Sequence, residues 1–481
     1  MNSMQHSIGT YLSKTIWLCI IIILCSSILY IIVESRKRVV LRRHLYYWQQ
    51  QENMYEVYTP KEYPILGFYL NNEESRPEIV RLIALAKREL VFCSFCTDFF
   101  CDFYQGRSLH YYLEQAHRRR VHIILCINPW QSRYLGKDLS DLKQYQGMYT
   151  IIESKRSGSL QGIEYCHHHI KAICVDQSLL FRGGGVDTSA DSWKEFQTCN
   201  QDGVDCWTDS SVLTRCSKEV MQYIISSSME GDYKNTNNYH ISGLAEHNNF
   251  LYLIRSARHY IYLENQFFDS SDITENRILV ELSKAITRSI QQNTEFYVMI
   301  LTNNFYTNKD EPYLARIYLH YTMIRIQRDV LKICRYTDPT ITREQVNHKL
   351  FVGVLKREPY YIQLHTQVMI QDGIRMIKTS SNITDRSLSH SPCDKELGLI
   401  FRDPQKIGPI QQKIWNHRLG TTSIHYSIEE VFRAAKHGRG QYRGILPKAY
   451  DSLRIQFINA IYCFMEGTGP CDSGYFRNRL I

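Results

Sequence analysis

Hydrophobic positions along this chain fall into two regimes. Residues 15–33 read TIWLCIIIILCSSILYIIV, with no charged side chain; as a helix this run extends roughly 28 Å, enough to cross the hydrocarbon core of a bilayer. Its apolar core is longer than that of a cleaved signal peptide and no small-x-small exit follows, so it is expected to be an uncleaved N-terminal transmembrane helix. After it, short apolar runs alternate with helix-period stretches, the pattern of an α/β domain. Residues 78–95, EIVRLIALAKRELVFCSF, read as a helix beginning at Pro77 and running into a strand. Residues 249–266, NFLYLIRSARHYIYLENQ, have the same grammar, with Leu82-Ile83, Ala86 and Lys87 matching Leu253-Ile254, Ala257 and Arg258 at a spacing of 171 residues.

The repeat continues. Strand-like RVHIILCIN and MYTIIES follow in the first half, EFYVMILTNN and KLFVGVLK in the second, and each half closes on a pair of apolar runs joined by a turn. The first pair is His169-Ile-Lys171-AICV-Asp176 with LLFRGGGVD; the second is His365-Thr-Gln367-VMIQ-Asp372 with MIKTSSNITDRS. His169 and His365 stand 196 residues apart, so the second half carries an insertion of 25 residues beyond the spacing of 171. The helix pattern after Pro312, with Leu314, Ile317, Tyr321 and Ile324 on one stripe, is expected to fill much of it. A tandem repeat suggests equivalent surfaces meeting about a pseudo-two-fold axis. Side chains alternate along a strand, so His169 and Lys171 share a face, as do His365 and Gln367.

The expected division is a tail at 1–14, the transmembrane helix at 15–33, a basic juxtamembrane connector at 34–74, a first half at 75–230, a second at 240–420 and a C-terminal extension at 421–481. In that extension Ser427 and Glu430 make a capping box for a short helix ending near Gly438.

Charge sets orientation and partners. Lys14 stands alone before the apolar run, whereas Arg36, Lys37, Arg38, Arg42 and Arg43 crowd the other side. The positive-inside rule therefore predicts a single-pass protein with its N-terminus outside and its large domain cytoplasmic. The same basic stretch, with Tyr46, Tyr47 and Trp48, suits a phospholipid membrane carrying anionic head groups. A net charge of +9 fits anionic partners generally, nucleic acid included. The fifteen cysteines are odd in number and show no disulfide framework. Cys93, Cys96 and Cys101 lack a second ligand pair at zinc spacing and are expected to be structural thiols, with metal binding there, or at the His167-His168-His169 run, the less favoured alternative. The sequon at Asn382 falls inside the second paired run, and a reducing compartment is expected.

At the two paired runs the sequence resembles the phospholipase D superfamily, whose signature is H-x-K-x4-D in each half. The first copy is complete; the second departs at Gln367, where that family has lysine. SSNITDRS and DKELGLIF, IYLENQFF at 261–268, and GGVD at 184–187 with Trp193 resemble the eukaryotic-type branch, and the matches span about residues 75–405. The resemblance implies two α/β halves, each a mixed β-sheet flanked by helices, with one composite active site between them. It implies that His169 is a nucleophile forming phosphohistidine and His365 the general acid and later base. Lys171, with Gln367 at the corresponding place, would face the phosphoryl oxygens, Asn382 and Ser380 would donate hydrogen bonds, and Glu396 and Asp202 would orient the imidazoles. Asp176 and Asp372 would be structural, and Glu264, Asn265, Gln266 and Asp187 would contact substrate. No metal or cofactor is required. The expected activity is head-group hydrolysis or exchange on a glycerophospholipid; a nuclease using Arg118-Arg119-Arg120, or a binding protein without turnover, are the alternatives that Gln367 leaves open.

Overall fold

The computed structural model describes residues 59–127, 140–153, 168–187, 206–229, 243–268, 270, 276–303, 313–357, 360–388 and 394–444. The predicted membrane helix at 15–33, its basic flank, His167, Trp193, Asp202 and residues 445–481 lie outside the described residues. Among the described residues no helix is long and apolar enough to cross a membrane.

The chain runs through β1 (Glu62–Tyr63), β2 (Gly67–Leu70), α1 (Asn71–Leu85), β3 (Glu89–Ser94), a hairpin of β4 (Asp102–Tyr104) and β5 (Arg107–Ser108), α2 (Leu109–Arg118), β6 (His122–Ile127), α3 (Ser140–Lys143), β7 (Tyr149–Glu153), β8 (Ala172–Val175), β9 (Leu179–Gly183), β10 (Cys206–Thr208), β11 (Ser210–Arg215) and α4 (Lys218–Met229). It continues through α5 (Gly243–Ser256), β12 (Tyr260–Glu264), α6 (Ile278–Gln291), β13 (Tyr297–Leu301), α7 (Tyr313–Thr337), α8 (Arg343–Lys349), β14 (Leu350–Arg357), β15 (Tyr360–Leu364), β16 (Val368–Gln371), β17 (Arg375–Thr379), α9 (Asp385–Leu388), β18 (Gly398–Arg402), α10 (Pro404–Leu419), α11 (Ile428–Lys436) and β19 (Tyr442–Gly444).

Two large mixed sheets result. One has the order β2-β11-β9-β8-β3-β6-β7; the other β1-β18-β17-β16-β12-β13-β14-β15-β10, with β19 also on β14. In each, three parallel strands (β3, β6, β7; β12, β13, β14) are followed outward by three antiparallel ones (β8, β9, β11; β16, β17, β18). Alternation decides what each face buries. Val91, Cys93, Ala172, Cys174 and Leu180 join Tyr262, Met299, Val368, Ile370 and Met376 in one core shared by both sheets. The intervening Leu90, Phe92, Ile173 and Phe181 pack under α1 and α2, and Ile261, Leu263, Met369 and Ile377 under α5 and α6.

Several boundaries differ from expectation. α1 begins at Asn71, not at Pro77, which lies inside it: Glu73 and Glu74 favour its positive end, and the Glu74 carboxylate accepts the Leu70 N–H at 2.7 Å. The expected connector already supplies β1 to one sheet and β2 to the other, because the apolar positions around Tyr63 and Leu70 complete strand pairs. Residues past 420 continue the second sheet through β19, and α11 carries the reciprocal Ser427–Glu430 cap. α7 fills the interval between β13 and β14; the side chains of its Leu314, Ile317, Tyr321 and Ile324 lie outside those described.

The two aspartates that close the paired runs explain their turns. The backbone has left-handed φ at Asp176, Gln177, Asp372 and Gly373, as tight hairpins require. The Asp176 carboxylate accepts three successive backbone N–H groups, from Lys87, Arg88 and Glu89, at 2.8–2.9 Å. Asp372 does the same for Arg258, His259 and Tyr260 at 2.8–2.9 Å. Each aspartate thus locks a hairpin to the helix-to-strand turn beside it. Asp372→Ala is expected to lower stability by about 2 kcal/mol by stranding those donors, and Asp372→Asn, which keeps one acceptor oxygen, by less; thermal unfolding of both variants measures it.

Candidate active site

His169 lies just before β8 and His365 just before β16, both buried where the sheets meet. Each is held by a carboxylate arriving with the other sheet. His169 Nδ1 is 3.1 Å from both oxygens of Glu396, and the His169 backbone N–H donates to the Lys395 carbonyl at 2.9 Å. His365 Nδ1 is 2.8 Å from Asp209 Oδ2, and the His365 backbone N–H donates to the Thr208 carbonyl at 2.9 Å. The exchange is structural as well as chemical, since β10, which ends beside Asp209, adds to the sheet of His365 in register Thr208↔Leu364. Sequence pattern alone does not single out Asp209. Its signal was the repeat: it stands two residues before Ser211, which pairs with Gly183, as Glu396 stands two before Gly398, which pairs with Thr379.

Burial, then the Lys171 charge, press the His169 imidazole down to about 3, so that ring is neutral near neutrality. Burial also lifts Glu396 to about 7, against the pull of Lys171 and hydrogen bonds from Ser380 and Ser387. Phe95 closes over His169 edge-on, with ring centres 5.0 Å apart.

Lys171 Nζ lies 3.6 Å from Asp187 Oδ2, donates to the His169 carbonyl at 3.2 Å and sits 5.3 Å from the Phe95 ring centre. Asp187, expected at the substrate, is instead the counter-ion of that lysine and accepts the N–H groups of Phe95 and Cys96 at 2.8 and 3.1 Å. Gln367, with φ of 41°, donates from Nε2 to the Ser380 carbonyl at 2.9 Å and to Asn382 Oδ1 at 3.0 Å. That turns the carbonyl end of Asn382 inward and leaves its NH2 for a ligand. The Ser380 hydroxyl, expected to donate to a ligand, is engaged by Glu396 and by the Leu397 N–H at 3.1 Å.

Glu264 and Asn265 also hold the fold together where pocket contacts were expected. Glu264 is fully buried in a two-pronged pair with Arg418, at 2.9 and 2.8 Å, and accepts the hydroxyls of Tyr262 and Thr366. Burial works to raise its pKa, but Arg418 and these donors hold it below the usual carboxylate range. Asn265 donates to the Ser381 carbonyl at 3.0 Å and accepts from Phe267 and Ile383 N–H at 3.2 and 3.1 Å. Gln266 is half-buried. In the Arg118-Arg119-Arg120 run, Arg118 pairs with Glu114 at 2.8 Å and Arg119 donates to the Ile83 carbonyl at 2.8 Å, ties within the fold. His168 packs in the core against Cys93 Sγ at 3.4 Å and the Ser228 hydroxyl at 2.9 Å. Among the described residues no metal-holding cluster occurs.

The site leaves no tolerance at Gly184: a Cβ there would lie 1.6 Å from Asp209 Oδ2. Gly184→Ala is expected to displace that carboxylate from His365 at a cost of about 1–3 kcal/mol, and imidazole 15N NMR should show His365 losing its fixed Nδ1–H form while the fold persists.

No family model matches the chain. It is 32% identical over 180 residues to phospholipase D A of Dictyostelium discoideum, covering 35% of this chain and 14% of that protein. It is 29% identical over 197 residues to a phospholipase D of Phytophthora infestans, covering 37% of this chain and 11% of that one. Phospholipase D1 of Homo sapiens is 25% identical over 181 residues, covering 34% of this chain and 16% of that one. The matches thus span less than a fifth of these relatives. Among solved structures, phosphatidylserine synthase of Haemophilus influenzae shares the fold, with a TM-score of 0.50 at 12% identity over 87% of this chain and 97% of that one. Over about a third of its length the chain is thus similar in sequence to phospholipase D proteins.

Proposed function

We propose that this chain is a phospholipase D-type phosphodiesterase that hydrolyses or exchanges the head group of a glycerophospholipid, from two tandem halves sharing one site, and that residues 15–33 anchor it with the catalytic part in the cytoplasm. The observation that carries the reading is the reciprocal pairing of two buried histidines with carboxylates of the opposite sheet. A carboxylate on Nδ1 fixes each ring so that Nε2 does the chemistry. His169, held neutral, attacks phosphorus through Nε2; the bond from phosphorus to the head-group oxygen breaks, and His365 delivers its Nε2 proton to that oxygen. Glu396 balances the charge of the phosphohistidine, while Lys171 and the Asn382 NH2 stabilise the phosphoryl oxygens. Water or an alcohol then loses a proton to His365 and attacks phosphorus, and the N–P bond breaks.

Incubating the full chain with labelled phosphatidylcholine vesicles and a primary alcohol should give both choline and a phosphatidyl alcohol. His169→Ala should form no phosphoenzyme. Cleavage of single-stranded DNA without lipid turnover would mean a nuclease, and lipid binding with neither activity a protein without turnover; either result overturns the proposal.

The Glu396 environment sets a pH dependence. Below about 7 its carboxyl holds a proton and donates it to His169 Nδ1, which places the ring proton on Nε2 and blocks attack. Above about 7 the carboxylate accepts from Nδ1–H and frees the Nε2 lone pair, so turnover should rise with pH through that value. Glu396→Gln should abolish this limb and slow turnover by about 100-fold or more; a pH-rate profile with an unchanged limb in the variant would refute the role.

A further inference from the structure

The two motifs are unequal in charge. Lys171 has its counterpart in Gln367, whose Nε2 is spent on Ser380 and Asn382, so the motif itself brings one ammonium to the pocket. A second lysine lies directly behind. Lys378 pairs with Val368 in the β16–β17 ladder, and alternation puts it on the face of Met376, toward the opposite sheet. It is fully buried, and its ammonium donates to the carbonyl of Thr366, the residue between His365 and Gln367.

Burying a lysine there is expensive, and the neighbourhood shows what offsets it. Four charged groups act on it electrostatically: Asp209 and Glu264 favour its charge, Arg182 and Lys171 oppose it. Glu264 is already neutralised by Arg418, so the anion left for Lys378 is Asp209, the carboxylate that holds His365. Arg182, from the equivalent place in the first sheet, donates to the Lys378 carbonyl and so binds the two strands back to back. Burial, the largest influence, brings Lys378 down to about 7, where a nearby anion decides whether it is charged. A cation in this place without a function would be disfavoured, since an apolar side chain of similar volume commonly stabilises such a core.

We propose that Lys378 supplies, from behind the second histidine motif, the positive charge that Gln367 does not, and that it is a positioning residue holding the Asp209–His365 pair and making the pocket floor attractive to an anionic phosphoryl group. Lys378 stands eleven positions beyond Gln367 on the hairpin partner of the motif strand, as Arg182 stands eleven beyond Lys171. This rests on the phosphodiesterase reading for its substrate but is testable without turnover.

The probe is inorganic phosphate, titrated calorimetrically into the full chain in detergent at fixed pH, with head-group release measured in parallel. Lys378→Met should fold, and should lower phosphate affinity and kcat by about 10-fold or more, the scale of a lost charge-stabilising donor. Lys378→Arg should retain most of both. Gln367→Lys should change affinity little in the wild-type background yet restore it in Lys378→Met, so the double-mutant cycle is strongly non-additive. An additive cycle, a Lys378→Met protein that binds phosphate normally, or a wild type that binds none overturns the inference. Should Lys378→Met fail to fold, the Arg variant and the cycle built on Lys378→Gln read the same quantity. If phosphate affinity follows Lys378 but no phosphodiester is cut, the functional reading fails and this inference stands; if substrate is cut and the cycle is additive, the reverse holds.

Discussion

The structure depends on an exchange of carboxylates. Glu396 comes with the sheet of His365 and binds His169; Asp209 comes with the sheet of His169 and binds His365. A buried imidazole without such a partner would be free to take either tautomer and to rotate, and a buried carboxylate without one would be too costly to keep charged. Each sheet therefore holds half of two pairs, and the common core of Val91, Cys93, Tyr262 and Met376 holds the sheets at the spacing those pairs need.

The surrounding polar groups keep that spacing rigid. Arg418 bridges Glu264 and the Thr208 hydroxyl at 2.8 Å, one residue before Asp209, and Asn71 Oδ1 accepts the Asp209 N–H at 3.1 Å. On the other side Ser387 donates to Glu396 at 2.8 Å and Tyr223 to the Glu396 carbonyl at 2.9 Å. Such a network is costly when half-satisfied and specifying when complete. Gly184 belongs to it in a negative sense, because any side chain there would occupy the place of the Asp209 carboxylate.

Gln367 takes its meaning from these surroundings. Judged alone it is a lysine missing from a motif. In place, its amide is pinned at left-handed φ between Ser380 and Asn382, and an ammonium lies behind the same strand at Lys378. The two sheets thus bring unlike chemistry together: a buried lysine with its own counter-ion in one, and a neutral amide over a buried cation in the other.

Much of this was legible in one dimension. Period-2 and period-3.6 hydrophobicity marks the strands and helices because burial acts on each residue locally, and His169, Lys171, His365, Asp176 and Asp372 stand out because the same spacing occurs twice. The resemblance also put Glu396 beside an imidazole, and it lies against His169. What escaped was everything set by pairing between distant strands. Asp209 meets His365, Glu264 and Asn265 turn inward to bind the fold, Asp187 serves Lys171, and β1, β2 and β19 join sheets from stretches that read as connectors. A residue type and its spacing determine what a side chain can do; only the tertiary structure decides which partner reaches it first, because hydrogen-bond capacity is finite and a buried group once satisfied is no longer available to a ligand.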